Sequence, residues 1–440
     1  MIDPRFSGDS GPIPDGRFGA VPQPETTGRM IVVFADTDDG AEVDWARVGL
    51  SSVADSRDFA SAGVPPETLQ DAEATVFAQL GIAVVNADPS QMAMLQTAAA
   101  SSRRVLSVSP ELVHHVLQDV LEYARAYRDG VDDFAQRVIH AQDHNGNVAA
   151  VLAEPLFQDT AQATWGIQAT EADSSPMSGR GIAVAVLDTG FDLGHPDFMG
   201  RNVTSMSFVP GEQAQDGHGH GTHCIGTSCG PRTPSTGPRY GVAYEADIFV
   251  GKVLSNSGSG TDGGIIAGID WAVANACPVI SMSLGADVPQ VHPPYSAVGA
   301  RALEKGCLII AAAGNNADRR IGRTGFVGPP ANSPEIMAVG ALEQSLGMAF
   351  FSARSLPARG GQVDIAGPGF QVLSSWPMPT RYRSISGTSM ATPHVAGLAA
   401  LWAEATGRRG LELWATLCQE SRRLEQPSLD VGSGLCLAPQ

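Results

Sequence analysis

The sequence predicts an α/β protein: a doubly wound, mostly parallel sheet from about residue 160 onward, preceded by a small α+β domain of the ferredoxin-like, split βαβ kind. Three observations lead there. The stretches 181–187, 279–284 and 307–312 are nearly continuous apolar runs, the pattern of strands buried on both faces of a helix-covered parallel sheet. Helical stretches at 261–275 and 388–404 separate them, which puts a site at the carboxyl ends of the strands. Residues 29–113 instead alternate short strand and helix patterns, which fits a small split βαβ sandwich.

The elements follow in order. Residues 1–28 are rich in Gly, Pro and polar residues without hydrophobic period and read as a flexible leader. Met30-Ile31-Val32-Val33-Phe34 is a strand; residues 67–80, with Leu69, Val76, Phe77 and Leu80 apolar, read as a helix. Residues 81–85 give a second strand, Pro89 opens a helix through Met92, Met94 and Leu95, and 104–108 give a third strand. Residues 116–139 form the clearest amphipathic helix, with Leu117, Val120, Leu121, Ala124, Tyr127, Val131, Phe134 and Val138 on one face. Packing against its own domain is the default role of such a helix. Asn145-Gly146-Asn147 then marks an exposed turn. The divisions are therefore 1–28, 29–158 and 160–440.

Composition narrows the function. A formal charge of −18 over 440 residues excludes bulk electrostatic binding of nucleic acid. No run of about eighteen apolar residues suggests a membrane span, and the first six residues lack the basic region and apolar core of a signal peptide. Cytoplasmic residence and secretion with the signal removed both remain open. The six cysteines match no zinc spacing. Cys418 and Cys436 can pair; Cys224, Cys229, Cys277 and Cys307 sit in apolar or glycine-rich stretches and read as buried free thiols.

Three segments carry chemistry. Val186-Leu187-Asp188-Thr189-Gly190 places a carboxylate at a strand exit, where it is either functional or a cap. Asp216-Gly217-His218-Gly219-His220-Gly221-Thr222-His223-Cys224 alternates histidines with glycines; a metal site is a competing reading, but no evident tetrahedral set completes it. Ser386-Gly387-Thr388-Ser389-Met390-Ala391-Thr392-Pro393-His394 puts a serine at a turn opening a helix, as an N-cap or as a nucleophile beside the helix dipole. Together they supply, in the chain order Asp, His, Ser, a carboxylate, a base and a hydroxyl.

These segments resemble the three signature motifs of the subtilisin (S8) family. The resemblance implies Asp188 as orienting acid, His220 as general base and Ser389 as nucleophile, with His218 and His223 supporting. Ala311-Ala312-Ala313-Gly314-Asn315 resembles the oxyanion-hole segment, so Asn315 would donate its side-chain amide beside the Ser389 N–H. Gly258, Ser259 and Gly260 on one side, and Ser283, Leu284 and Gly285 on the other, resemble the edges that hydrogen-bond an extended peptide. Gly314 belongs to the same wall, and Gly328 aligns with the floor of a pocket for a large apolar or aromatic residue before the cut. The nearby Arg319, Arg320 and Arg323 read as solvated charge. Residues 29–113 resemble the family's inhibitory prodomain, which assists folding and blocks the site with its C-terminal strand. That implies a processing region around 153–160 and a mature start near Trp165-Gly166-Ile167.

The implied function is a serine endopeptidase acting on protein or peptide through an acyl-enzyme, made as a self-processing zymogen and needing no cofactor for chemistry. Asp197 matches a family calcium ligand, whereas the loop 229–238 that usually supplies the other oxygens has no Asn or Asp. Cys224 matches a buried free cysteine of some members, which implies sensitivity to mercurials. A peptide ligase or macrocyclase would share the acyl-enzyme, but the short interval between Asp188 and His220 leaves no room there for a shielding insertion. A non-catalytic peptide-binding relative would be expected to lack part of the Asp–His–Ser set, and this chain has all of it.

Overall fold

The computed structural model describes residues 24–37, 40, 43–101, 104–117, 156–356 and 361–440. Its N-terminal strands are β1 (Thr26–Phe34), β2 (Val53–Asp55), β3 (Ala74–Phe77), β4 (Ile82–Val85) and β5 (Val105–Val116). The strands that follow are β6 (Ala183–Asp188), β7 (Val203–Ser207), β8 (Asp247–Lys252), β9 (Ser259–Thr261), β10 (Val279–Met282), β11 (Leu284–Gly285), β12 (Leu308–Ala312), β13 (Met337–Leu342), β14 (Ile365–Pro368), β15 (Val372–Ser375) and β16 (Tyr382–Ile385).

The large sheet runs β14-β13-β12-β10-β6-β8-β7, and every ladder in it is parallel. Strand β6 shows why its sequence is apolar throughout. Val184 and Val186 face a cluster with Ile225, Val395 and Leu398, whereas Ala185 and Leu187 face Ile265, Trp271 and Val298. Successive side chains point to opposite faces, so helices on both sides demand hydrophobes at every position. One face carries the helices His220–Cys229 and Thr388–Thr406, the other Asp262–Ala274 and Pro293–Glu304. From β6 the chain passes to the edge strand β7, returns through β8 beside β6 and then crosses to β10, β12, β13 and β14 on the other side, which leaves Asp188 at a strand exit where the order reverses.

The N-terminal domain is antiparallel along β5-β1-β4-β3, with short β2 added parallel to β3. Its two faces meet different neighbours. Val32, Phe34, Ala74, Val76, Ala83 and Val85 pack with Trp45, Val48, Leu50 and Leu95 of its own helical segments. Ile31, Val33, Phe77, Ile82 and Val84 pack instead on the helices Asp262–Ala274 and Pro293–Glu304.

Polar ties fix that contact. The buried Arg301 guanidinium donates to the carbonyls of Phe34, Leu80 and Gly81. The Glu111 carboxylate accepts from Arg29 at 2.6 Å and from the Gly263 N–H at 2.8 Å, which puts an anion on the N-terminus of the helix Asp262–Ala274. A Cβ at Gly263 would stand 2.8 Å from that carboxylate, so a side chain there would have to displace it.

The structure corrects several expectations. Residues 67–80 are not one helix: a helix ends at Asp71 and Val76 and Phe77 lie in β3, paired with Ala83 and Ile82. The apolar spacing fits either reading, and the tight turn at Gly81 decides for the hairpin. No helix begins at residue 116, because β5 runs through Val116; residues 118–139 of the expected helix lie outside the described residues, as does most of the expected leader. All six cysteines are free, Cys418 and Cys436 included. No helix among the described residues is long and apolar enough to cross a membrane.

Candidate active site

Asp188 ends β6, and His220 begins the helix His220–Cys229. Asp216 holds that helix start in place. Its Oδ1 accepts from the N–H groups of His218 and Gly219 and from Thr189 Oγ1, and its Oδ2 from the N–H and Oγ1 of Thr222. His220 is thereby carried to Asp188, with Nδ1 2.8 Å from Asp188 Oδ1, which also accepts the Thr189 N–H at 2.7 Å. Both side chains are buried. Burial alone would push the imidazole down, but the Asp188 carboxylate and the Cys224 thiol hold it well above its ordinary value of 6.5. The other ring nitrogen, Nε2, has no hydrogen-bond partner and is free to take a proton.

Ser389 sits in the first turn of the helix Thr388–Thr406. Its Oγ donates to the Ser283 carbonyl at 3.2 Å, and its own carbonyl accepts from Ser283 Oγ at 2.8 Å. Cys224 lies beneath, with Sγ 3.8 Å from His220 Nδ1 and 3.6 Å from the Ser389 carbonyl. Burial pushes that thiol up, which suits a space-filling group better than a nucleophile. Asn315 is aimed by Thr388, whose N–H and Oγ1 both donate to Asn315 Oδ1 at 2.9 Å. Its Nδ2 is thus turned outward, onto the carbonyl oxygen of Leu117.

That last contact shows what fills the cleft. Strand β5 continues from the N-terminal sheet between β9 and β11. His114 pairs with Gly260 and His115 with Ser259, while Val116 pairs with Leu284 and His115 with Gly285. The Val116 N–H donates to the Gly258 carbonyl at 2.9 Å. The chain's own segment 113–117 therefore lies extended between the two edges, each supplying main-chain partners. It ends with the Leu117 carbonyl oxygen on Asn315 and 3.5 Å from Ser389 Oγ. Gly387 makes room: a Cβ there would come within 3.3 Å of the Leu117 oxygen and 3.1 Å of Asn315 Nδ2.

The other expected residues fall as follows. Gly285 borders Leu117, since a Cβ on it would meet that side chain at 3.2 Å. Gly314 needs its positive φ of 121°, and its N–H donates to Thr388 Oγ1. A Cβ at Gly328 would strike the Ala286 carbonyl at 2.3 Å, so glycine there answers a close backbone approach, beyond any need for pocket room. His223 holds the β15–β16 hairpin through the carbonyls of Val372 and Arg383, and burial drives it down to about 3. The histidine cluster is therefore no joint metal site. Among the described residues the one group close enough to hold an ion is Asp188, His220 and Cys224.

Asp197 lies elsewhere. Its carboxylate accepts the N–H and Oγ of Ser235 and the hydroxyls of Tyr240 and Tyr382, the latter two at 2.7 and 2.9 Å. Burial by itself would raise this carboxyl, yet these donors hold it below its ordinary value. Four donors occupy the lone pairs that a cation would need, so the residues present do not fit calcium here. Tyr240→Phe removes a hydrogen bond to a charged group, worth about 1.5–3 kcal/mol. It is expected to lower the thermal unfolding midpoint equally in EDTA and in excess calcium; a loss that calcium reverses would contradict this.

Comparison with known proteins follows the same lines. Residues 179–424 match the family model described as Peptidase S8, subtilase family. The chain is similar to Subtilisin E of Bacillus subtilis (strain 168), 37% identical over 313 residues, which covers 68% of this chain and 78% of that protein. It is 42% identical over 241 residues to Subtilisin Savinase of Lederbergia lenta, across 54% of this chain and 82% of that protein. M-protease of Shouchella clausii (strain KSM-K16) is also 42% identical over 241 residues, across 54% of this chain and 58% of that protein.

Proposed function

Because the chain belongs to the subtilase family and is a subtilisin-like serine endopeptidase, we propose that Asp188, His220, Ser389 and Asn315 carry its chemistry and that it is a zymogen which first cuts itself after Leu117. One observation carries this reading: the Leu117 carbonyl oxygen rests on Asn315 Nδ2 beside Ser389 Oγ.

The geometry supports the following steps. The Ser389 hydroxyl turns from the Ser283 carbonyl toward the free His220 Nε2, which takes its proton as Oγ attacks the Leu117 carbonyl carbon. Asp188 keeps the proton of His220 on Nδ1 and stabilises the imidazolium. The oxygen, now negative, is held by Asn315, already aimed by Thr388, and by the Ser389 N–H. His220 returns the proton to the amine of Gln118, leaving residues 1–117 as an ester on Ser389, and water then completes hydrolysis. No metal or cofactor enters any step.

The released N-terminal domain is a product that still fits the cleft, through β5 and the Glu111 and Arg301 ties. It acts as inhibitor until removed. This moves the first cut away from the region around 153–160. Residues 153–155 lie outside the described residues, and Phe157 is tied by its N–H to the Gln344 carbonyl rather than to the cleft. Protein and peptide substrates would bind as the segment 113–117 does, with an apolar residue in the place of Leu117.

Mass spectrometry of the purified wild type tests the site of cutting. A fragment ending at Leu117 and a partner beginning at Gln118 are expected; cutting confined to 153–160 would sink the assignment. Asn315→Ala is expected to lower kcat about 10²–10³-fold with little change in KM, a magnitude set by the corresponding change in subtilisin itself. A KM effect alone would mean that the amide serves binding and not the oxyanion.

A further inference from the structure

The segment in the cleft alternates. The Leu117 carbonyl meets Asn315, Val116 packs by Gly258 and His218, and His115 points outward with half its side chain exposed. His114, three residues before Leu117, is fully buried. Its surroundings are not apolar. Nε2 lies 2.7 Å from Asp262 Oδ1 and 3.3 Å from the Tyr295 hydroxyl, and the Tyr295 ring meets the imidazole edge-on at 5.5 Å. Asp262 Oδ2 accepts from His292 Nε2 at 2.9 Å and from the Leu112 N–H at 2.6 Å.

Asp262, His292 and Tyr295 all belong to the catalytic half and remain when the N-terminal domain leaves. Asp262 opens the helix Asp262–Ala274 directly after β9, the edge along which the segment runs. Burial alone would raise this carboxyl, but the two histidines hold it well below the usual carboxylate range. It is thus an ionised acceptor at the bottom of a closed pocket. Of its two oxygens, Oδ2 keeps His292 as a partner from the same half, while the side-chain partner of Oδ1 is His114. A substrate with an aliphatic residue there would take the imidazole donor from that oxygen and leave the Tyr295 hydroxyl, which also hydrogen-bonds Asp262, as the donor nearest to it.

We propose that Asp262, with His292 and Tyr295, is a specificity subsite that selects a hydrogen-bond-donating side chain, histidine first, at the third residue before the one whose carbonyl is attacked. Resting on the reading of the cleft given above, it narrows the substrate class to extended peptides of the pattern His-x-x-Leu. An imidazole suits the pocket: its Nε2 reaches Asp262, and its Nδ1 is buried without a partner. Tyr295 stacks edge-on against either an imidazole or an amide, whereas an aliphatic chain offers Asp262 nothing.

The test uses the full-length protein after it has processed itself and its inhibitory N-terminal domain has been removed. Internally quenched peptides X-His-Val-Leu-Gln, with X as His, Gln, Leu or Ala, are compared by kcat/KM. The His peptide is expected to exceed the Leu and Ala peptides about 10- to 100-fold, the range for losing one hydrogen bond to a charged group, with Gln between. Asp262→Asn should shrink that preference chiefly by slowing the His peptide, and Asp262→Leu should turn it toward X as Leu. Equal cleavage of all four by wild type overturns the subsite while leaving the active-site reading intact. Cleavage of none overturns both. The wild-type panel decides the question even if a variant fails to fold.

Discussion

Replacing Ser389 by alanine is expected to leave the chain uncut at full length, with no fragment ending at Leu117, under conditions in which the wild type separates completely. The reason is chemical. The Leu117 carbonyl can still sit on Asn315, and segment 113–117 can still pair with β9 and β11, because none of those contacts uses Ser389 Oγ. Only the hydroxyl that forms the ester is missing. Loss of the nucleophile in subtilisin itself costs about 2 × 10⁶ in kcat, and a comparable loss here puts self-cleavage beyond any practical incubation. The same variant separates folding from chemistry. Its thermal unfolding should match that of uncut wild type, since serine to alanine removes one hydroxyl bonded to the Ser283 carbonyl. Cleavage at Leu117 persisting in Ser389→Ala, with a contaminating protease excluded by inhibitor, would assign the nucleophile elsewhere.

Asp188→Asn has the next largest expected effect, about 10⁴-fold in kcat. Asparagine fills the same space but presents an amide where His220 Nδ1–H needs an acceptor, so the ring is driven to the wrong tautomer and Nε2 no longer accepts the serine proton. A second readout follows from charge. His220 works as a base only when neutral, so wild-type activity falls as pH drops through its raised pKa, a limb lying above 6.5. Without the carboxylate the main upward influence is gone and burial remains, which pushes the imidazole down. The residual activity of the variant should therefore show its acid limb at lower pH than wild type. A pH–rate profile of kcat/KM checks it; an unmoved limb would mean that Asp188 does not set the protonation of His220.

Part of this was legible in the motifs and in the family they resemble. A base, a carboxylate and a hydroxyl need short, glycine-flanked turns at the ends of buried strands and helices. Such turns have local signatures, and it is the resemblance of these signatures to the subtilisin family's motifs that let Asp188, His220, Asn315 and Ser389 be named before any geometry. Period failed where one pattern fits two structures. Leu69, Val76, Phe77 and Leu80 recur as in a helix, yet Val76 and Phe77 pair with Ala83 and Ile82. Likewise Val116 begins an amphipathic run but ends a strand. In both cases long-range pairing overrode a local periodicity.

The sequence by itself determined the doubly wound sheet, through apolar runs that only two-sided burial explains, and its motifs named the residues proposed to perform acyl transfer. Tertiary structure alone decided which peptide bond lies at Asn315 and Ser389. It likewise decided that Asp197 is satisfied by two tyrosines and a serine, and that His114, Asp262, His292 and Tyr295 form one buried pocket. The physical reason is separation along the chain: His114 and Asp262 are 148 residues apart, and Leu117 and Asn315 are 198 apart. Local pattern records which face of an element is apolar, but what that face meets is fixed only when the chain closes on itself.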